Sequence, residues 1–393
     1  MAEIDNICEV EQEFNTIKTY LNNNSILTCH RIELITKELC EIKTRENKLF
    51  LMDLFSDPNI IFKECFYVKA MMLTPNLNHC DNLGKTILMY GFQNCNNPKI
   101  LMELLKYDLD LDIQDNDNKT VLIHAMENCV NKKVLIEEAL IELVKQKPNL
   151  NLQDNKLNTA FLYGLSYCKK WRVLLEMLKQ KPDLNLQKYK GNTAVHIAFR
   201  YRNNNKVLYE ILKQDSNLNI INNNKNTPVT FAFVYIKNIK VLEKILNKIP
   251  NLNIKNIDGY TPAMHGFMNI KNYKILLKMM EYDIDMTITN IFSHTPIFYA
   301  FKNYIHEEIL LKLLKHNPNL NIPYDYNEKT LTMIAFENCK SDTVLIELLK
   351  LKPNINLIDV NGNSCIWYAF NYCSENIVLE LLKYKPDINI NID

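Results

Sequence analysis

One block of sequence centred on a threonine recurs nine times at nearly constant spacing along the 393-residue chain. Successive anchors lie 34 or 35 residues apart, except for one step of 39 residues between Thr120 and Thr159. The nine anchor residues are Thr86, Thr120, Thr159, Thr193, Thr227, Thr261, Thr295, Thr330 and Ser364. A fixed period of this length is typical of stacked repeats, which bury a core between neighbouring units and need no enclosed active site.

Each block predicts a polar turn followed by two short helices. The anchor hydroxyl suits a helix N-cap, and a proline follows it at Pro228, Pro262 and Pro296, where the first helical position has no N–H to lose. The residue five after each anchor is Gly or Ala, and the next is large and apolar, which predicts close helix packing. A second apolar helix follows, with one buried face at helical spacing, and usually ends in lysine and proline.

All seven glycines occupy positions that the repeat defines. Four of them lie two residues before an anchor, where a tight turn requires positive φ: Gly84, Gly191, Gly259 and Gly362. The other three occupy the small helix position. The sequence therefore has no glycine for a phosphate-binding loop.

The blocks together resemble the ankyrin repeat. That family's pattern, Asp-x-x-Gly-x-Thr-Pro-Leu-His-x-Ala, is clearest at 191–198 and recurs in part at 81–86, 258–262 and 359–364. The resemblance implies a mostly α ankyrin-repeat solenoid of helix-turn-helix units with hairpin-like loops, about nine recognisable repeats and degenerate ends. Three family features are replaced: the histidine remains only at His196, the helix-ending Gly-Ala gives way to Pro-Asn-Leu-Asn, and the Gly-His between helices is absent.

A tetratricopeptide-like α-solenoid, which shares the 34-residue period, is the alternative. Its connections are short, whereas roughly ten polar residues precede each anchor here, as hairpin-like loops require. We divide the chain into a helical N-terminal cap or non-repeat segment at 1–74, including a degenerate half repeat, and an ankyrin-repeat array at 75–393. The 39-residue step and an extra residue near Pro323 predict insertions in loops.

The charge balance argues against nucleic-acid or membrane binding. The formal net charge is +1, from 46 basic and 45 acidic residues. A lysine-rich outer face for nucleic acid is a weaker hypothesis, because acidic residues interrupt it. The first fourteen residues do not resemble a signal peptide, and no apolar run reaches membrane-spanning length, so we expect a cytoplasmic or nuclear protein.

The reactive residue types form no catalytic or ligand-binding pattern. Eight histidines are scattered, and the eleven cysteines include no Cys-x-x-Cys pair, so we expect no metal, no cofactor and no enzyme activity. Five cysteines fall nine residues after an anchor, which favours reduced structural thiols over a disulfide framework. The 54 asparagines, with many Lys and Ile residues, indicate an A/T-rich genome of origin.

A partner surface is predicted on the first helix of each block, which lines the concave side in ankyrin arrays. Positions four and eight after the anchor share one helix face and carry many aromatic side chains. The candidate partner-binding residues are Tyr163, Tyr167, Tyr201, Phe231, Tyr235, Tyr299, Tyr368 and Tyr372. Tyrosine is enriched at binding hot spots, although packing against the neighbouring repeat is the alternative role, especially at the fourth position.

These observations predict an intracellular scaffold or adaptor that binds a protein partner and takes no small-molecule substrate. The alternative is a host-directed effector or viral adaptor that recruits ubiquitin-ligase machinery through the N-terminal segment. The sequence names neither the partner nor the source organism, oligomeric state or regulation.

Overall fold

The computed structural model describes residues 40–41, 43, 47–56, 64–130, 136–201, 204–303, 306–324 and 326–387. Within these residues the chain forms α-helices, one short 3-10 helix and one two-stranded hairpin. The chain divides into two units, the first ending at Tyr189 and the second beginning at Lys190. Much of the N-terminal segment expected to form a helical cap, residues 1–39, lies outside the described residues.

Four helix pairs make up the described part of the first unit. Their helices are α1 (Phe50–Ser56), α2 (Glu64–Leu73), α3 (Ile87–Asn94), α4 (Pro98–Leu104), α5 (Val121–Glu127), α6 (Glu137–Lys145), α7 (Ala160–Tyr167) and α8 (Trp171–Lys179). A 3-10 helix, Asn128–Val130, follows α5 directly. The odd-numbered helices pack in succession against one another, as do the even-numbered helices, so neighbouring pairs share a core.

Six helix pairs make up the described part of the second unit. Their helices are α9 (Ala194–Tyr201), α10 (Asn205–Lys213), α11 (Pro228–Tyr235), α12 (Ile239–Leu246), α13 (Pro262–Asn269), α14 (Tyr273–Met279), α15 (Pro296–Lys302), α16 (Glu307–Leu314), α17 (Leu331–Asn338), α18 (Asp342–Lys350), α19 (Cys365–Tyr372) and α20 (Glu375–Leu382). Odd-numbered helices again contact their odd-numbered neighbours from α9 through α19. Each even-numbered helix packs on the helix before it.

The anchor threonines begin the odd-numbered helices as predicted. Thr86, Thr227 and Thr261 each accept a hydrogen bond from the backbone N–H three residues later. Thr193 differs because its backbone N–H and hydroxyl both meet Nδ1 of His196. Ser364 also occupies the N-cap position, but its side chain makes no capping hydrogen bond, so only that part of the prediction is wrong at this anchor.

The small position on each odd-numbered helix permits close packing, as predicted. A Cβ built at Gly266 would lie 2.8 Å from Sδ of Met279, which packs against it from α14. A Cβ at Gly164 would lie 2.8 Å from Cδ2 of Leu174 on α8. A Cβ at either glycine would have to displace the end of the Leu174 or Met279 side chain, so glycine lets these long side chains pack directly on the backbone of α7 and α13.

Asparagine and aspartate side chains join the loops that follow the even-numbered helices. Oδ1 of Asn219 accepts the N–H of Asn251 at 2.8 Å, and Oδ1 of Asn253 accepts the N–H of Asp285 at 3.0 Å. In the first unit, Oδ1 of Asn151 accepts the N–H of Asp183. The asparagine-rich segments that replace the family's Gly-Ala thus connect one loop to the next at these places within each unit, which gives part of the abundant asparagine a structural role.

The two places where the period lengthens differ in structure. Near Pro323, the strands β1 (Pro323–Tyr324) and β2 (Lys329–Thr330) form an antiparallel hairpin, with Pro323 opposite Thr330. The five-residue insertion expected at 131–138 falls between the 3-10 helix and α6, and its residues 131–135 lie outside the described residues.

Candidate partner-binding surface

In most repeats the turn before the odd-numbered helix is built around one acidic or amide side chain, five residues before the anchor; the turn before Thr193 has Lys188 there instead. Oδ1 of Asp154 accepts the backbone N–H groups of Lys156 and Asn158, at 2.9 and 2.7 Å. The second oxygen of Asp154 remains available, and it accepts the hydroxyl of Tyr163 at 2.7 Å. The turn and the helix that follows are therefore joined through one buried carboxylate.

This arrangement recurs wherever the turn residue is aspartate in the described part of the chain. Each aspartate accepts a hydrogen bond from the residue nine positions later, four after the anchor. The pairs are Asp81 with Tyr90, Asp115 with His124, Asp154 with Tyr163 and Asp359 with Tyr368, at 2.6 to 2.7 Å. The constant nine-residue spacing of these pairs is visible in the sequence, but the sequence does not show that the two side chains meet.

Hydrogen bonding keeps the carboxylates of Asp115 and Asp359 ionised despite burial. Burial raises the pKa of Asp359, but hydrogen bonds from Tyr368, Asn363 and Asn361 outweigh it and hold the pKa below its ordinary value. The pKa of Asp115 is lowered for the same reason, with His124 as the main donor opposing burial. Burial and the neighbouring carboxylate raise the pKa of the Tyr368 hydroxyl, which therefore stays protonated and donates.

Three turns carry asparagine instead of aspartate, and the partner position changes with it. Asn222 is followed nine residues later by Phe231, which has no hydroxyl to donate. Asn290 donates its Nδ2 to the hydroxyl of Tyr299 at 2.8 Å, reversing the direction of the bond.

The third amide turn leaves one polar atom without a partner. Asn256 is followed nine residues later by His265, whose Nε2 is buried and makes no hydrogen bond. Burial lowers the pKa of His265 to about 4. His265 is therefore neutral at pH 7 in the folded chain.

The candidate residues four after the anchor thus lie mostly inside the molecule. Tyr163, Tyr299 and Tyr368 are each no more than 7% exposed, and Phe231 is half-buried. The hydroxyl groups of the three tyrosines are hydrogen bonded to turn residues, and their rings expose little surface area to a partner. Packing is the role that the structure displays for these three tyrosines.

The candidate residues eight after the anchor lie on the surface. Their exposed fractions run from 42% to 57%, for Tyr167, Tyr201, Tyr235 and Tyr372. Tyr235 stacks on Phe231 with ring centroids 6.1 Å apart, and Tyr372 stacks on Tyr368 at the same separation. The rings of Tyr235 and Tyr372 are therefore supported by aromatic side chains one helical turn earlier, whereas Tyr201 has Ile197 at that place.

Where the eighth position is asparagine, the side chain serves the backbone instead. Asn128, Asn269 and Asn338 each donate Nδ2 to the carbonyl four residues earlier, at 2.9 Å. Asn94 and Asn303 donate to carbonyl groups of the preceding odd-numbered helix or the residue after it. Among the described odd-numbered helices, tyrosine at this position is what provides exposed aromatic area.

Arginine completes one cluster of exposed rings in the second unit. The guanidinium of Arg200 lies 5.2 Å from the ring centroid of Tyr201 on its own helix, α9. It also lies 5.6 Å from the ring centroid of Phe231 on α11, which supports Tyr235. We call Arg200, Tyr201, Phe231 and Tyr235 the aromatic–arginine cluster. Its rings and cation are held together across two neighbouring helices by cation–π contacts and ring stacking.

The lysines at the ends of the even-numbered helices are largely paired with acids. Glu176 and Lys179 approach to 2.5 Å, and Glu210 and Lys213 to 2.6 Å, forming the expected pairs three residues apart. Lys350 pairs with Glu347 in the same way. These pairs are exposed and stabilise the fold little, but they offset the positive charge of this face.

The turns of neighbouring blocks are also hydrogen bonded. In the second unit, the N–H of Asn223 donates to the carbonyl of Lys190, and the N–H of Ile257 donates to the carbonyl of Asn224. Tyr326, on the hairpin between β1 and β2, is 87% exposed. Several backbone groups at these tips are therefore already hydrogen bonded to the neighbouring turn. A partner would contact mainly the side chains there.

Two further features bear on the class of protein. No described helix combines the length and apolar character needed to cross a membrane. The described residues also contain no group of three or more His, Cys, Asp or Glu side chains placed to hold a metal ion.

Comparison with protein families identifies the repeat. Residues 297–392 match the model of ankyrin repeats, in three copies. This match confirms the resemblance drawn from the sequence: the chain carries ankyrin repeats, and they are detected in its C-terminal region. A search of curated proteins found no match. Ankyrin repeats are in general protein–protein interaction modules, and proteins that carry them are typically non-enzymatic scaffolds.

Proposed function

We propose that the chain is a scaffold or adaptor built from about nine ankyrin-type repeats, which stack as a solenoid within each unit. The same turn, cap and small-residue positions recur from Thr86 to Ser364, outside as well as inside the region matched at 297–392. In this proposal, residues 1–74 are a helical N-terminal cap or non-repeat segment that includes a degenerate half repeat, and the described helices α1 and α2 belong to it. The ankyrin-repeat array occupies 75–393. The function is to bind a protein partner, without catalysis.

The partner contacts the exposed tyrosines on the odd-numbered helices. The observation that carries this proposal is the aromatic–arginine cluster, since Tyr201 and Tyr235 expose large rings that their neighbours hold in place. Tyrosine and arginine are the residues most enriched at binding hot spots. A supported ring loses little conformational freedom on binding, which lowers the cost of association.

The cluster also indicates the chemistry of the partner. Arg200 is exposed, and its guanidinium lies against the rings of Tyr201 and Phe231. A partner segment that places a carboxylate on Arg200 and apolar side chains on Tyr201 and Tyr235 would complement both features. We therefore propose a protein segment in which acidic and apolar residues alternate closely.

The test compares binding by wild type with binding by Tyr201→Ala/Tyr235→Ala. A partner is first captured from a eukaryotic lysate, purified, and then titrated against each variant by isothermal calorimetry. We expect the double variant to bind at least about tenfold more weakly, because hot-spot aromatics contribute more than 1 kcal/mol each. Tyr326→Ala is the matched control, since it removes an exposed tyrosine that lies outside the helices.

Arg200→Gln probes the charge separately from the rings. Weaker binding whose salt dependence is also reduced supports a carboxylate on the partner. The proposal is overturned if the double tyrosine variant binds as wild type does while Tyr326→Ala loses binding. That result would indicate that the partner contacts the hairpin tips instead.

A further inference from the structure

Two cysteines meet inside the first unit, and this contact differs from those of the other repeat cysteines. Cys129 and Cys168 each lie nine residues after an anchor, in successive blocks. Sγ of Cys129 lies 2.8 Å from Sγ of Cys168, and both side chains are buried. The two sulfur atoms are separated by 39 residues along the chain.

Other cysteines at the same position contact backbone carbonyl groups. Sγ of Cys95 lies 3.6 Å from the carbonyl of Asn97, and Sγ of Cys339 lies 3.7 Å from the carbonyl of Ser341. Cys373 lies 3.4 Å from the carbonyl of Phe336. The repeat therefore positions these thiols for weak hydrogen bonds to the backbone. Cys168 has the same kind of contact, 4.0 Å from the carbonyl of Lys170, and the contact with Cys129 is additional to it.

The lengthened block explains where this additional contact occurs. Cys168 caps the end of α7, with its N–H donating to the carbonyl of Gly164 at 3.0 Å. Cys129 instead lies in the 3-10 helix Asn128–Val130, immediately before the five extra residues of the 39-residue step. This 3-10 helix packs against α7, and that packing brings the two sulfur atoms together.

We propose that Cys129 and Cys168 are an oxidative modification site, at which a hydroperoxide converts the two thiols into a disulfide. One thiolate attacks the peroxide and takes one oxygen as a sulfenic acid, while the other oxygen leaves as water when the peroxide is hydrogen peroxide. The second thiol then attacks the sulfenic sulfur, forming the S–S bond and releasing a second water. The sulfur pair loses two electrons, and the O–O bond gains them.

The disulfide would tie together two neighbouring repeats. It would close a loop from Cys129 to Cys168 that contains α6 and most of α7, and so restrict the unfolded chain. It would also fix the end of α7, where the exposed Tyr167 immediately precedes Cys168. Oxidation would thus stabilise the first unit at the site of one candidate partner-binding residue.

The test oxidises the full-length native chain with graded hydrogen peroxide and maps its peptides without reduction. We expect one dominant cross-linked peptide, Cys129 to Cys168, with the mass of two lost hydrogen atoms. Oxidation should raise the midpoint of thermal unfolding by about 5 °C or more, reversibly with dithiothreitol. Cys168→Ala should abolish both changes, and Cys129→Ala provides an independent second variant if Cys168→Ala does not fold.

Cys95→Ala is the matched control, because Cys95 lies at the same repeat position in the same unit. This variant should keep both the cross-linked peptide and the thermal shift. The proposal is wrong if Cys65, which is exposed, oxidises while Cys129 and Cys168 stay unlinked. It is also wrong if the same pair forms no more often in the native chain than in a urea-unfolded one.

Discussion

The turns before α7 and α11 have the same backbone pattern but different chemistry. In the first, Asp154 accepts two backbone N–H groups and the hydroxyl of Tyr163. In the second, Asn222 accepts the same two kinds of backbone bond, at 3.0 Å each, but Phe231 follows it and cannot donate. A buried carboxylate needs a donor for its second oxygen, whereas Asn222 has an NH2 group at that place, which donates to Oδ1 of Asn192 at 2.8 Å. The identity of the turn residue therefore determines which residue is stable nine positions later: aspartate requires a donor there, and asparagine tolerates phenylalanine.

The largest expected effect comes from breaking that coupling. Tyr163→Phe leaves the Asp154 carboxylate buried without its hydroxyl donor, and should lower the free energy of unfolding by about 2 kcal/mol. Asp154→Asn/Tyr163→Phe recreates the combination found at Asn222 and Phe231, and should lie within about 1 kcal/mol of wild type. Urea denaturation of the two single variants and the double variant measures the coupling.

Tyr167→Phe controls for this experiment, because it removes the hydroxyl of an exposed tyrosine on the same helix. We expect its unfolding midpoint to match that of wild type. If the losses at Asp154 and Tyr163 simply add, the two positions are independent and the comparison fails.

An intermediate effect is expected at His265, where the amide turn carries a residue with an unsatisfied nitrogen. His265→Phe reproduces the Asn222 and Phe231 pair and should stabilise the chain by about 1 kcal/mol at pH 7. The gain should grow as the pH falls from 6.5 to about 4. The unfolded histidine takes up a proton below its ordinary pKa of 6.5, whereas burial holds the folded pKa at about 4.

Thermal unfolding at pH 7, 5.5 and 4.5 measures the change. The stability of His265→Phe should still depend on pH in part, because His196 remains and burial lowers its pKa to about 4 as well. His316→Gln is the control, since that histidine is exposed and should gain nothing from substitution. A constant difference between His265→Phe and wild type at all three pH values would show that His265 is not the group responsible.

The smallest effect is expected at the residue two before the anchor. This residue has positive φ in the aspartate turn before α7 and also in the asparagine turn before α11. Leu157 and Lys225 have φ values of 58° and 57°, a conformation that favours glycine. Leu157→Gly and Lys225→Gly should each raise the free energy of unfolding by about 0.5 kcal/mol, the relief of strain less the added flexibility of the unfolded chain. Differential scanning calorimetry measures the shift.

Gly191→Ala tests the same position in reverse. Its φ is +72°, and the added Cβ would lie 2.8 Å from the backbone nitrogen of Asn223. If Gly191→Ala loses stability while Lys225→Gly gains it, the free energy of unfolding depends on the backbone conformation of the turn. A loss in all three variants would contradict that account.

The sequence predicts the local features of each block well, because they depend on residues close together in the chain. The caps at Thr227 and Thr261 and the positive φ at Gly84 and Gly259 follow from the preferences of single residues. The missing cap bond at Ser364 depends on the orientation of one hydroxyl, which no spacing reveals.

The candidate surface was predictable only in part. Spacing placed Tyr163 and Tyr167 on one helix face, but it did not show that the turn uses the first and leaves the second exposed. That distinction depends on Asp154, in a different element nine residues before Tyr163. The sequence also gave no signal for the contact of Arg200 with Phe231, which depends on how α9 packs against α11.

The loop asparagines have a consequence for how such a chain can change in length. Asn219 and Asn253 each supply their side chain to the next loop onward and have the same relation to it. Removing one whole 34-residue period within the second unit, such as residues 227–260, would place the backbone N–H of Asp285 opposite Oδ1 of Asn219, an equivalent pair. A longer block can keep the same bond: across the 39-residue step, Oδ1 of Asp112 accepts the N–H of Asn149 at 2.7 Å. The same bonds that join neighbours therefore make the repeats interchangeable parts, which a gene can gain or lose by unequal recombination.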